Sequence, residues 1–199
     1  LGKAQVLLDS RPLTGSDWVV ERTKELFYYL LEQPYSPRKE QIVDELWPEL
    51  ELGKSNSQFH STVYRLRRAI SPQCLEYHDG RYTLSLGKSY WYDAEEFTRL
   101  LEEADLAGVS REHRIESYER ALALYHGPFL EEFYGDWVTP RREELERRRI
   151  QSVSRLARLK AEIGQLEQAI ELLRSAVASD PFREETHYGL IYYSSLMGD

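Results

Sequence analysis

GKSNSQFHSTVYRLRRAIS, residues 53–71, is the stretch from which the rest of the chain can be read. Its apolar residues Phe59, Val63, Leu66 and Ile70 recur at helical spacing and fall on one narrow stripe, the pattern of a helix that packs by one face only. At about 100° per residue the opposite face collects Ser57, Ser61, Tyr64 and Arg68, flanked by Lys54, His60 and Arg65. That face is short, polar and cationic and holds no carboxylate, so it suits phosphates and base edges. Charge on the outer face of an amphipathic helix is ordinary. The neighbouring segments give this one its meaning.

Immediately downstream, LEYHDGRYTLSL (75–86) contains two short alternating runs joined by Asp79-Gly80, a strong hairpin signal. Upstream, the linker PELELG follows a helical pattern through Ile42, Val43, Leu46 and Trp47, which Pro48 stops. Ser36-Pro37 opens that second helix as a cap with proline in the first helical position. The first helix begins at Glu21, places Leu26, Phe27, Leu30 and Leu31 on one face, and ends before Pro34. Before it, the apolar runs AQVLL (4–8) and WVV (18–20), separated by Arg11-Pro12-Leu13-Thr14-Gly15, read as a small sheet with turns.

Strands, three helices and a hairpin, in that order, form the layout of a winged helix. In that layout the third helix enters the major groove and the hairpin reaches the adjoining backbone or minor groove. Arg81 then sits on the wing. Arg65 and Arg68 can donate paired bonds to guanine or contact phosphate, and the sequence leaves both open. Lys54 and Arg67 are the phosphate candidates. Arg67 lies nearer the apolar stripe, where a salt bridge to a second-helix carboxylate such as Glu45 competes with DNA contact.

From residue 93 the pattern is helical throughout, giving domains 1–92 and 93–199. Asp93 is expected to cap a helix with Glu96 three residues on, Phe97, Leu100, Leu101 and Ala104 forming its inner face and Gly108 closing it. Ser110 caps the next, with Ile115, Tyr118, Ala121 and Leu122 on its inner face. After HGPFLEEFYGDWVTP a long helix runs from about Pro140 to Ile163, followed by two more. GQLEQAIELLRSAVASDP resembles the tetratricopeptide pattern of Gly, small residue and terminal Pro, and stacked helix pairs of that kind form grooves for other proteins. Phe129, Phe133, Tyr134 and Trp137 are expected as core filling between helix pairs. Arg141, Arg142, Arg147, Arg148 and Arg149 interleave with Glu143, Glu144 and Glu146, as on a solvated helix with internal ion pairs. The expected fold is mainly α: a winged helix, then an all-α tetratricopeptide-like domain.

A net charge of −8 argues against nucleic acid, but its distribution does not. Residues 1–92 hold twelve Lys or Arg against twelve Asp or Glu, whereas residues 93–199 hold fourteen against twenty-two. Residues 53–71 carry Lys54, Arg65, Arg67 and Arg68 and no acid. A neutral domain with one concentrated basic face is a plausible, salt-sensitive reader of DNA.

The single Cys74 excludes an intrachain disulfide and fits a reducing compartment. The amino-terminal residues lack the pattern of a signal peptide and no apolar run could span a bilayer, so a cytoplasmic protein without membrane association is expected. No Ser/His/Asp or Cys/His ordering and no metal-ligand spacing emerges, and Gly53-Lys54-Ser55 lacks the earlier glycine of a phosphate loop. No catalytic residue, metal ligand or cofactor is assigned.

KELFYYLL, SPRKEQIVDELWP, the helix ending VYRLRRAI and the hairpin DGRYTL together resemble the OmpR-type winged-helix domain. The version is similar to that of bacterial transcriptional activators of the antibiotic-regulatory-protein (SARP) family. DAEEF, ALALYHGPFLEEF, DWVTPRREELERRR and DPFREETHYGLI resemble the bacterial transcriptional activator domain that follows it in those regulators. The resemblance implies that Ser57, His60, Ser61, Tyr64, Arg65 and Arg68 face the groove, in agreement with the helical wheel. It implies that the loop Trp47 to Gly53, with Pro48, Glu49 and Glu51, touches RNA polymerase. It also implies promoter DNA arranged as direct repeats, a helical domain that supports dimerisation, and a last repeat that continues beyond Gly198. Ser57 and His60 stand where two-component members often have Arg and Asp, a departure that bears on the preferred DNA sequence and not on the binding mode. The rival reading is a protein-interaction module in which the repeats bind a partner and the winged helix is a scaffold.

Overall fold

A computed structural model describes residues 1–87 and 89–198; Lys88 and Asp199, the last residue of the expected helical domain, lie outside the described residues. The fold is mainly α, with a winged helix first and a helical-repeat unit after it. By its internal contacts the chain divides into two units, one of Lys3–Tyr90 with Leu130–Arg141, the other of Leu1–Gly2, Trp91–Phe129 and the residues from Arg142 onward.

In the winged-helix unit, β1 (Leu7–Leu8) and β2 (Arg11–Pro12) pair antiparallel across Asp9-Ser10, both at positive φ (49° and 67°). Two successive positive φ values match the twist of a two-residue hairpin loop. Then follow α1 (Gly15–Trp18), α2 (Glu21–Glu32), α3 (Lys39–Leu46) and α4 (Leu52–Ala69). The wing is β3 (Leu75–His78) and β4 (Arg81–Leu84), with Asp79 and Gly80 at φ 50° and 78° in the turn.

Two local expectations are corrected. Residues 18–20 are not a strand: Thr14-Gly-Ser-Asp17 forms a capping box, the Asp17 carboxylate accepting from the Thr14 amide at 2.8 Å, and Trp18 ends a helical turn. Nor does Pro37 open the second helix, because α3 begins at Lys39 with Arg38 as its N-cap. Ser36–Arg38 is drawn out beside β4 instead. The Tyr82 amide donates to the Pro37 carbonyl at 2.9 Å, Arg38 bridges Arg81, and the Ser36 and Thr83 hydroxyls meet at 2.7 Å. Arg38 is extended, at φ −79° and ψ 159°, so the helical turn can begin only after it.

The core of this unit is closed by Leu26 of α2, Ile42 and Leu46 of α3, and Phe59 and Leu66 of α4, all fully buried. Unexpectedly, α2 is buried on nearly every side, Tyr28 and Tyr29 included. Leu130–Arg141 covers its second face: Phe133 lies 6.1 Å from the Tyr28 ring and Trp137 stands edge-on to Tyr29 at 5.6 Å. Phe133 and Trp137 therefore fill the core of the winged-helix unit, not the space between helix pairs. Phe129 is buried in the helical unit, and Tyr134 is exposed.

The helical unit comprises α5 (Asp93–Asp105), α6 (Arg111–Ala123), α7 (Thr139–Glu162, whose first residues belong to the winged-helix unit), α8 (Leu166–Ser179) and α9 (Glu184–Met197). Ser110 caps α6 by accepting from the His113 amide at 3.2 Å. Asp93 is not the cap expected of it: it is the first residue of α5, and the extended Tyr92 is the N-cap. Small residues let helices approach as a repeat requires: Ala157 of α7 with Ala169 and Leu173 of α8 form a buried cluster. A Cβ on Gly189 of α9 would lie 3.2 Å from the Leu173 methyl.

Candidate nucleic-acid interface

α4 owes its orientation to its buried side, Phe59, Val63 and Leu66 with Ser55 and Thr62. Phe59 is wedged edge-on between Trp47 at 6.4 Å and Tyr82 of the wing at 5.1 Å, while Val63, Leu66 and Thr62 are also buried. Thr62 disposes of its hydroxyl by donating to the Gln58 carbonyl at 2.8 Å. With that side fixed, Ser57, His60, Ser61, Tyr64 and Arg68 stand exposed on the other, and Arg65 is half-buried between them. The face predicted from the wheel is thus brought together on one surface, and Tyr64 shows 66 % of its area.

The remaining candidates are distributed around it. Lys54 is exposed at the start of α4, 3.5 Å from Glu51. Arg67 turns away from the basic face, and its guanidinium donates to the Leu75 carbonyl at 2.7 Å, fastening α4 to the root of the wing. The bond goes to this carbonyl and not to Glu45. Arg81 is exposed on β4 and spends one N–H on the Ser36 carbonyl at 2.9 Å, which orients the rest of the fork. Pro48, Glu49 and Glu51 are exposed in the loop between α3 and α4, together with Leu50.

One part of the surface was missed in the sequence. His60, Ser61, Tyr64, Arg65 and Arg68 border an open concavity whose other wall is Arg11, Ser16, Asp17 and Val19. Arg11 donates to both Asp17 oxygens, at 3.1 and 3.2 Å. That fork, with the Thr14 amide and hydroxyl, holds the Asp17 carboxyl well below the ordinary carboxylate range, and the pairing raises Arg11. The Thr14-x-x-Asp17 spacing carried a capping signal from which this turn could have been read. Nothing local ties it to residues some fifty positions on.

Comparison with known proteins gives the family. Residues 92–197 match the Bacterial transcriptional activator domain, more than half of the chain. The chain belongs to that family. Among solved structures it is similar to Mycobacterium tuberculosis EmbR in complex with a low affinity phosphopeptide, with a TM-score of 0.79 and 20% sequence identity over 100% of this chain and 54% of that one. The likeness is one of fold, and the chain spans about half the length of that protein. No curated protein matches it.

In this bacterial transcriptional activator domain protein the matched residues are α5 to α9, so the basic face of α4 stands on its own geometry. The long helix α7 offers no second basic face of comparable freedom. Arg141 pairs with Glu32 at 3.1 Å, Arg148 with Glu144 at 3.1 Å and Arg149 with Glu146 at 2.7 Å, while Arg142 donates to the Phe129 carbonyl. Among the described residues no group of three or more His, Cys, Asp or Glu could hold a metal, and no helix is long and apolar enough to cross a membrane.

Proposed function

We propose that this chain is a sequence-specific DNA-binding transcriptional activator. α4 enters the major groove, the β3–β4 wing lies on the adjoining backbone or minor groove, and the helical unit holds a second copy or a partner. The observation that carries this is the outer face of α4: Ser57, His60, Ser61, Tyr64 and Arg68 exposed together without a carboxylate, on a helix whose other side is locked by Phe59 and Leu66. Arg65 and Arg68 supply the forks that pair with guanine or phosphate, Ser57, Ser61 and His60 supply short-range donors and acceptors, and Tyr64 an aromatic edge. Lys54 is a phosphate contact at the start of α4, and Arg81 is the groove contact of the wing. Arg67, bonded to Leu75, positions the wing.

Pro48, Glu49 and Glu51 form the contact for RNA polymerase, an acidic exposed loop next to the DNA-reading helix. Two copies bind direct repeats spaced by about one helical turn. One observation favours the rival interaction module: α9 exposes Tyr188, Ile191 and Leu196, at 74%, 69% and 55% of their area.

Fluorescence anisotropy of the full chain on its own upstream DNA and on a scrambled duplex, across a range of salt, separates the two. The DNA reader gives tighter, sequence-dependent binding that weakens steeply with salt. Arg65→Ala and Arg68→Ala each cost roughly 1–3 kcal/mol of binding with folding retained. No binding to either duplex at low salt would instead leave the interaction module.

A further inference from the structure

The wall opposite α4 has no role in the reading above. Arg11 is 58% exposed, yet its guanidinium is held in place by both oxygens of a largely sheltered Asp17. Those oxygens also accept from the Thr14 amide and hydroxyl, at 2.8 and 2.9 Å, so the carboxylate is spent on its own turn. Of the five N–H groups of Arg11, three remain and are aimed outward by the fork. Ser16 is exposed beside it.

Val19, next along the wall, has φ 68° and ψ −46°, close to the strained γ-turn and a genuine outlier for a β-branched residue. It is held there by neighbours on both sides. Trp18 is buried against Phe27, and Val20 is already the N-cap of α2. The strained residue does not serve the core: its side chain is 57% exposed on the concavity. Strain kept where it does nothing for packing is found at functional surfaces.

We propose that the turn from Arg11 to Val19 is a phosphate-binding wall. With α4 in the major groove, Arg11 and Ser16 take a phosphodiester of the strand that flanks the groove, and Val19 packs on the adjoining deoxyribose. The proposal rests on the DNA-binding reading and adds a contact to it across the concavity from α4. A concavity between a groove-entering helix and an oriented arginine has the shape and charge for one sugar–phosphate strand, and such a contact fixes register without carrying sequence information.

The test is anisotropy with the full chain on the upstream and scrambled duplexes across salt, with thermal melting of each variant. Arg11→Gln is expected to weaken both duplexes by a similar factor, about three- to tenfold, and to lower the salt slope by about 1. Val19→Gly, which relieves the positive φ, is expected to melt at the wild-type temperature or above and still to bind more weakly. Should Arg11→Gln unfold early, Val19→Gly decides by itself. Wild-type affinity and salt slope in both variants would overturn the wall while leaving the DNA reader intact. Weakening confined to the upstream duplex would overturn the phosphate assignment in favour of a base contact. Wild-type protein that binds neither duplex at low salt overturns both readings together.

Discussion

Phe59 is the residue on which the proposed interface turns, because its ring is buried on the side of α4 away from the basic face and touches Trp47 and Tyr82 at once. Phe59→Ala is expected to cost roughly 3–5 kcal/mol, read from the urea midpoint, and to weaken DNA binding through the loss of helix position. Gly135 is a second such point. A Cβ there would lie 2.7 Å from the Trp137 ring, so Gly135→Ala must displace the indole from Tyr29, at a cost of about 1–3 kcal/mol. Asp17 sets a pH dependence. Its folded pKa is depressed by Arg11 and Thr14, so its contribution is present above the ordinary aspartate value and is lost as pH falls below about 4. Urea midpoints of the wild type and Asp17→Asn should therefore converge in acid and separate near neutrality, with the wild type the more stable.

At the scale of elements, α4 and the wing are joined by a shared fastening. The Arg67 guanidinium reaches the Leu75 carbonyl from inside the joint, and Tyr82 brings its ring onto Phe59. Arg67→Ala removes a charged hydrogen bond, worth roughly 1.5–3 kcal/mol, and leaves a strand-edge carbonyl without that partner. Amide hydrogen exchange should quicken along β3 and β4 while α2 and α3 keep their protection. On DNA the same variant should lose the wing's contribution and retain that of α4, a smaller loss than Arg68→Ala. Equal exchange rates in wild type and variant would mean that the hairpin is held by its own pairing and by Ser36–Arg38 alone.

At the scale of the whole molecule, the winged-helix unit is discontinuous in sequence. Leu130–Arg141 supplies Phe133 and Trp137 to α2, and Glu132 accepts from the Ala4 amide at 3.0 Å and from Lys24 at 3.1 Å. A piece ending at residue 92 would expose Tyr28 and Tyr29, which are buried in the full chain. It is expected to melt well below the full chain and to bind a hydrophobic dye. Phe133→Ala in the full chain should cost roughly 3–5 kcal/mol, with protection lost in α2 although the substitution lies about a hundred residues away. Charge acts at this scale too. The carboxylate excess lies in residues 93–199, so raising salt should weaken DNA binding through α4 without loosening the fold.

By itself the sequence determined whatever depends on near neighbours. The period of Phe59, Val63 and Leu66 fixed which side of α4 is buried and hence which side is free, since a helix carries its own geometry from residue to residue. Asp79-Gly80 fixed the wing, because a two-residue turn needs the positive φ those residues tolerate. Family membership was legible for the same reason, in short motifs at fixed spacing. The tertiary structure decided what depends on partners far along the chain. The apolar face of α2 was legible in Leu26, Phe27, Leu30 and Leu31, but the burial of Tyr28 and Tyr29 depends on Phe133 and Trp137, about a hundred residues on. Arg67 read as a cation of the basic stretch until Leu75 offers a carbonyl. Arg11 read as a turn residue and Val19 as part of a strand until the fold sets them across a concavity from His60 and Arg68. Burial and hydrogen-bond competition are settled by which groups arrive within a few ångströms, and no local pattern encodes that arrival.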